Sequence, residues 1–117
     1  MEQVGYDPLR IHSTVHTKAN NHMLHNHPTN SIIVNDAVSN FKIYTLEWNV
    51  NQLEMFVGNE QNPFETRIFV WNKQGDWTQW YRDCFIHQIF SPFLRPFDKP
   101  FRLLINIAVG GNWYVPF

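Results

Sequence analysis

The chain has 117 residues, enough for one domain with one core. A net charge of −1 with neutral histidines gives no electrostatic footprint for nucleic acid or for an acidic membrane surface. Cys84 is the one cysteine, which excludes an internal disulfide, and no apolar run has the length of a transmembrane helix or the order of an export signal.

Ten Phe, five Trp and four Tyr are more rings than a small core needs, so part of them is expected to line a binding surface. In chain order, residues 10–17 (RIHSTVHT) alternate and are rich in β-branched side chains, which predicts a strand. The Asn, His and Pro content of residues 19–30 predicts a long loop, and SIIVN at 31–35 a short strand. Residues 41–48 and 52–57, joined by a short Asn-containing link, predict a hairpin. Residues 58–63 read as a turn and 67–71 as a further strand. Residues 77–90 space Trp77, Trp80, Tyr81, Cys84, Phe85 and Phe90 as a short helix would, or as a packed aromatic loop. Residues 101–109 (FRLLINIAV), between Pro100 and Gly110, read as a strand buried on both faces. Short strands separated by turn signals imply an all-β antiparallel sandwich.

His12, His16, His22, His25 and His27 crowd one part of the chain. A His-x-x-x-His pair on a helix could bind one metal ion, but Ser13, Thr14 and Val15 favour a strand, along which four residues span roughly 13 Å. No Cys or carboxylate stands at ligand spacing, so no metal site is assigned. His12, Thr14 and His16 share one strand face and Ile11, Ser13 and Val15 the other. The polar face is either the floor of a binding cleft or the solvent side of an edge strand.

In a strand over 101–109, Asn106 lies opposite a purely aliphatic face of Leu103, Ile105 and Ile107. A buried amide needs partners or a ligand. Ala108 leaves space, Gly110-Gly111 permits a sharp turn, and Trp113 follows. An amide, open space and a ring suit a sugar; a satisfied core Asn with a packed Trp fits the same pattern.

RIHSTVHT, FKIYTLEW, EMFV and PFDKPFRLLINIAVGGNW, in this order and spacing, resemble family 16 glycoside hydrolases, and most of all their laminarinase-like branch of endo-β-1,3-glucanases and β-glucan recognition proteins. The resemblance covers nearly the whole chain except residues 72–95. It implies a jelly roll of two curved antiparallel sheets with a cleft on the concave face, retaining hydrolysis by two carboxylates, and no cofactor. The branch's catalytic strand reads Glu-x-Asp-x-x-Glu, and Met1-Glu2 matches its last two letters. The resemblance therefore makes Glu2 the general acid/base, with the nucleophile upstream of residue 1. It makes His16 a cleft residue on the strand after the acid/base, Asn106 an amide near the cleavage point and Trp113 a ring beside the cleft; His12, on the same strand face as His16, is taken as a substrate-binding candidate with it. Glu47 and Trp48 match the family's Glu-Trp pair, where the Trp is structural. Residues 114–117 depart from the small residues usual after Trp113.

Retention requires two carboxyl groups roughly 5–5.5 Å apart, one to attack and one to protonate the leaving oxygen. Residues 1–117 are accordingly expected to be a partial catalytic domain. It would begin at the end of the catalytic motif and lack the closing C-terminal strand. The expected parent is an extracellular, monomeric β-glucanase acting on β-1,3- or mixed β-1,3/1,4-glucans. A non-catalytic β-glucan binding protein on the same fold is the alternative. The resemblance implies β-glucan as partner, with no nucleic acid and no membrane.

Overall fold

The computed structural model describes residues 1–17, 20–49, 51–72 and 100–109. These residues form two antiparallel three-stranded sheets. Sheet A contains β1 (Glu2–Val4), β2 (Asp7–Thr14) and β3 (Thr29–Ile33) in that spatial order. Sheet B contains β4 (Ile43–Trp48), β5 (Gln52–Gly58) and β6 (Thr66–Asn72), also in chain order. Every expected strand from residue 10 to residue 71 is present, shifted by up to three residues at its ends. The loop between β2 and β3 contains one short 3-10 helix, His22–Leu24, capped by the Asn21 side chain, which accepts from the Leu24 N–H at 3.2 Å. His25 ends it in the left-handed region at φ 53°.

The sheets meet through one apolar cluster. Sheet A and its exit supply Ile11 and Val15; sheet B supplies Leu53, Met55, Val57, Ile68, Phe69 and Trp71. Ile32, Val34 and Ala37 pack against this cluster. Ile11 is fully buried, and Trp71 and Ile68 each keep 1 % of their surface exposed. Burial of side chains this large stabilises by about 1.5–3 kcal/mol each. The β5–β6 register slips between Met55 and Phe56, leaving Ile68 as the extra residue of a bulge. The bulge carbonyl is not wasted: the Asn30 side-chain amide donates to Ile68 O at 2.7 Å, tying β3 to β6.

Asparagines build the turns of sheet B. Asn49 Oδ1 accepts from the Asn51 and Gln52 N–H groups at 2.8 and 3.1 Å. Asn59 Oδ1 accepts from Gln61 and Asn62 N–H at 3.0 and 2.9 Å. In both, the side chain imitates a backbone turn and fixes the hairpin register. Gly58 is required at the second turn, because a Cβ there would lie 2.0 Å from Asn62 O. Between the sheets, Asp36 organises the crossing. Its carboxylate accepts from Lys42 Nζ and Asn40 Nδ2, and the Lys42 hydrogen bond, then the Asn40 one, holds its acid below the ordinary carboxylate range.

The expected doubly buried strand at 101–109 is not formed. These residues belong to no sheet and are exposed: Leu103, Leu104, Ile105, Ile107 and Val109 keep 84–97 % of their surface. Asn106 is exposed with them rather than buried among aliphatic neighbours. An apolar run becomes a buried strand only when a sheet edge and a facing layer receive it. Among the described residues no strand pairs with this one. Phe101 meets Trp48 edge-on at 5.2 Å, so the segment reaches the β4 end of sheet B. There Tyr44, Leu46 and Trp48, which share a face, are also 42–53 % exposed. The proposed helix or aromatic loop at 77–90, the Gly110-Gly111 turn and Trp113 lie outside the described residues.

Exposed aliphatic side chains on a segment outside any sheet favour association. The 117-residue chain is expected to self-associate and to bind an apolar dye. Placing Lys at both Ile105 and Ile107 should shift sedimentation toward monomer. A wild-type chain that sediments as a dye-negative monomer would contradict this picture.

Candidate active site

Sheet A carries the polar face expected of β2. Ile11, Ser13 and Val15 are buried at 0, 0 and 4 % exposure, and His12, Thr14 and His16 point away from the core. The period of two does this without further help: a strand with one face on a core must present its alternate residues to the other side.

Strand register then decides what stands beside them. Glu2 on β1 pairs with His12, and His12 pairs with Ser31 on β3. Directly opposed residues of an antiparallel ladder share a face. Glu2, His12 and Ser31 therefore form one row across the three strands. Thr14 and Thr29 form the next, with hydroxyls 2.9 Å apart. On the other side Arg10 donates to Asp7 Oδ2 at 2.7 Å and reaches Ser31 Oγ at 3.5 Å. The result is a polar ribbon of carboxylate, imidazole, hydroxyls and guanidinium, the kinds of group that bind sugar hydroxyls.

His16 continues the ribbon beyond the end of β2. Its ring lies 5.3 Å from His27 and 5.7 Å from His22, centroid to centroid. Burial, and then the neighbouring His27 and His22 charges, lower its pKa below the usual 6.5, while the Glu2 carboxylate acts in the opposite sense. Glu2 is thus within electrostatic reach of both His16 and, by register, the His12 row. Among the described residues, no three His, Cys, Asp or Glu side chains are arranged to hold a metal ion.

The structure brings together Glu2, His12 and His16 of the residues singled out in the sequence. It does not bring Asn106 to them, and Trp113 lies outside the described residues. Sequence reasoning missed Arg10, Thr29 and Ser31. Their signal was the hairpin register, which needed β3 to start at Thr29 rather than Ser31. A carboxylate pair, Glu47 and Glu54, is opposed across β4 and β5. Glu54 is buried and its oxygens accept from Arg67 Nη1 at 2.9 Å and Gln52 Nε2 at 2.6 Å, so it serves as a structural anion in sheet B. A cavity of about 410 Å³ between Thr29, Asn30 and Arg67–Val70 follows the seam of the two sheets.

The chain is 36 % identical over 113 residues to a beta-glucanase of Rhodothermus marinus, covering 97 % of this chain and 34 % of that protein. It superposes on the X-ray structure of the laminarinase from Rhodothermus marinus with a TM-score of 0.58 and 28 % identity, over 84 % of this chain and 33 % of that one. The resemblance to the laminarinase-like branch of glycoside hydrolase family 16 holds. No family profile matches the chain. A non-specific endo-beta-1,3(4)-glucanase of family GH16, SCLam, overlaps 58 % of the chain and 31 % of its own length at a TM-score of 0.45 and 27 % identity. The chain spans about a third of the length of the relatives it matches. The two described sheets are part of a jelly-roll sandwich of the laminarinase type.

The electrostatics of the ribbon can be read on one proton. Replacing Glu2 by Gln removes the nearby negative charge and should lower the His16 pKa further. Replacing His27 by Gln removes a like charge and should raise it toward 6.5. NMR titration of the His16 imidazole checks both. Shifts of equal sign in the two variants would contradict the arrangement.

Proposed function

We propose that this chain is part of an endo-acting, retaining β-glucanase that cleaves β-1,3- or mixed β-1,3/1,4-glucans, with Glu2 as general acid/base. The observation that carries the reading is the placement of Glu2. It stands on β1, beside the polar face of β2, in a sheet of laminarinase-like fold. In that position a carboxyl group can protonate the leaving glycosidic oxygen and then deprotonate water in the second step. The Glu-x-Asp-x-x-Glu pattern aligned on Met1-Glu2 places the nucleophile before residue 1. His12 and His16 supply hydrogen bonds to sugar hydroxyls along the same face. Asn106 and Trp113 join the cleft when 101–109 is paired as a strand, Asn106 through its amide and Trp113 by stacking on a pyranose. A polysaccharide substrate supports action outside the cell, and one cleft with both carboxylates supports a monomer.

Three measurements test the reading. Residues 1–117 alone should release no reducing sugar from laminarin, because one carboxyl group cannot perform both displacements. In the full-length enzyme, Asn106→Ala should lower kcat by roughly tenfold or more with little change in KM, since a hydrogen bond that strengthens in the transition state is lost. Trp113→Ala should act mainly on KM, because stacking is similar in both states. Normal turnover per folded molecule in both variants, with lowered Tm, would assign the two residues to packing and remove them from the site. Hydrolysis by residues 1–117 that Glu2→Gln abolishes would overturn the two-carboxylate assignment.

A further inference from the structure

The imidazoles around His16 are a feature the glucanase reading does not use. His16 leaves β2, and His22 and His27 come from the loop 20–28 that returns to β3. His27 is half-buried, and its Nδ1 has no hydrogen-bond partner among the described residues. We propose that His16, His22 and His27 form a proton-operated latch: with neutral rings the loop 20–28 lies against the end of β2, and protonation of more than one ring drives it off.

The geometry supplies the mechanism. His22 and His27 each lie against His16, so protonation of these rings places like charges within about 6 Å of one another, where they repel. Among the described residues, the charges that face His16 are His27 and His22 from the loop and Glu2 from β1; His12 lies on its own strand. One carboxylate can offset one added proton, not three. Among the described residues, neutral hydrogen bonds that do not change with acid also fasten the loop. Val15 N–H donates to Pro28 O at 3.0 Å, Thr17 N–H to Asn20 O at 2.6 Å, and Asn20 N–H to Thr17 Oγ1 at 3.0 Å. Asn21 N–H donates to Asn26 Oδ1 at 3.1 Å, and Asn21 Nδ2 to Thr17 O at 3.2 Å. These bonds set the closed geometry, and the imidazoles decide whether it is occupied.

The direction of the pH effect follows from the lowered His16 pKa. The open loop binds protons more readily than the closed one. Closure is therefore fully favoured above the ordinary His value of 6.5 and is lost as pH falls below it toward the lowered value. Opening would release His16 from its ring partners beside Glu2 and widen that end of the polar ribbon in acid. The latch does not depend on the identity of the substrate.

Amide hydrogen exchange on the 117-residue chain tests it, with rates corrected for intrinsic pH dependence. Protection of the Val15 and Thr17 amides should fall severalfold from pH 7.5 to pH 5, while opening takes up protons across this range. The β5 and β6 amides should keep their protection. In the His22→Gln/His27→Gln double variant, the Val15 and Thr17 amides should become nearly independent of pH. If that variant fails to fold, by loss of the β5 and β6 protection, His27→Gln alone is read and must at least halve the acid effect. The proposal is overturned if wild-type protection is flat with pH, if β5 and β6 open in parallel with the loop, or if the variants keep the full acid loss.

Discussion

Everything in this structure depends on one strand having two unlike faces. β2 and its exit bury Ile11, Ser13 and Val15 against sheet B and turn His12, Thr14 and His16 outward. A slip of one residue in its pairing would put two imidazoles into the apolar cluster and expose Ile11, which full burial forbids. The core therefore fixes the register, and the register places Glu2 and Ser31 beside His12. The site is a consequence of packing on its reverse side. The same logic holds at the sheet junction, where the Ile68 bulge and the Asn30 hydrogen bond lock β3 to β6.

Much of this was legible in the sequence because period-two alternation is a local signal. Strands β2, β4, β5 and β6 and the unlike faces of β2 follow from the residues at 10–17, 41–48, 52–57 and 67–71, whereas the three residues of β1 carry too little alternation to be read. Strand ends were less legible. Asp7–Leu9 carry no alternation of their own, yet they open β2, because Gly5-Tyr6 turns the chain back and Asp7 pairs with Val4 of β1. Thr29 and Asn30 read as loop because of the Asn and Pro before β3, and their strand state comes from pairing with Ser13 and Thr14. Residues 101–109 mark the other limit. Their composition says that they are apolar and extended, but burial is a property of what covers them. Tyr44, Leu46 and Trp48 show the same uncovered character on β4.

The candidate site divides along the same line. Glu2, His12 and His16 meet because hairpin pairing, a local and strongly specified interaction, brings them together. Asn106 is far along the chain from these strands, and its approach requires a long-range pairing that the described residues do not make. The histidines of the 20–28 loop gained meaning only from three dimensions. In the sequence they had no Cys or carboxylate beside them at ligand spacing, whereas folding gathers two of them on His16. Their contact is repulsive once protonated, which makes the loop, rather than the sheet, the acid-sensitive part of the molecule.

The central claim is that Glu2 is the proton donor of a two-carboxylate site. It is tested most directly by chemical rescue of Glu2→Ala in the full-length enzyme. The substrate should be an aryl β-glucoside or laminaribioside with a leaving group good enough to depart unprotonated. Without its acid/base the enzyme should form the glycosyl intermediate and stall. Added azide needs no general base, so it should restore turnover and yield the β-configured glycosyl azide. An α-configured azide would identify Glu2 as the nucleophile. Wild-type turnover without azide would show that it takes no part in proton transfer, and either result would contradict the account.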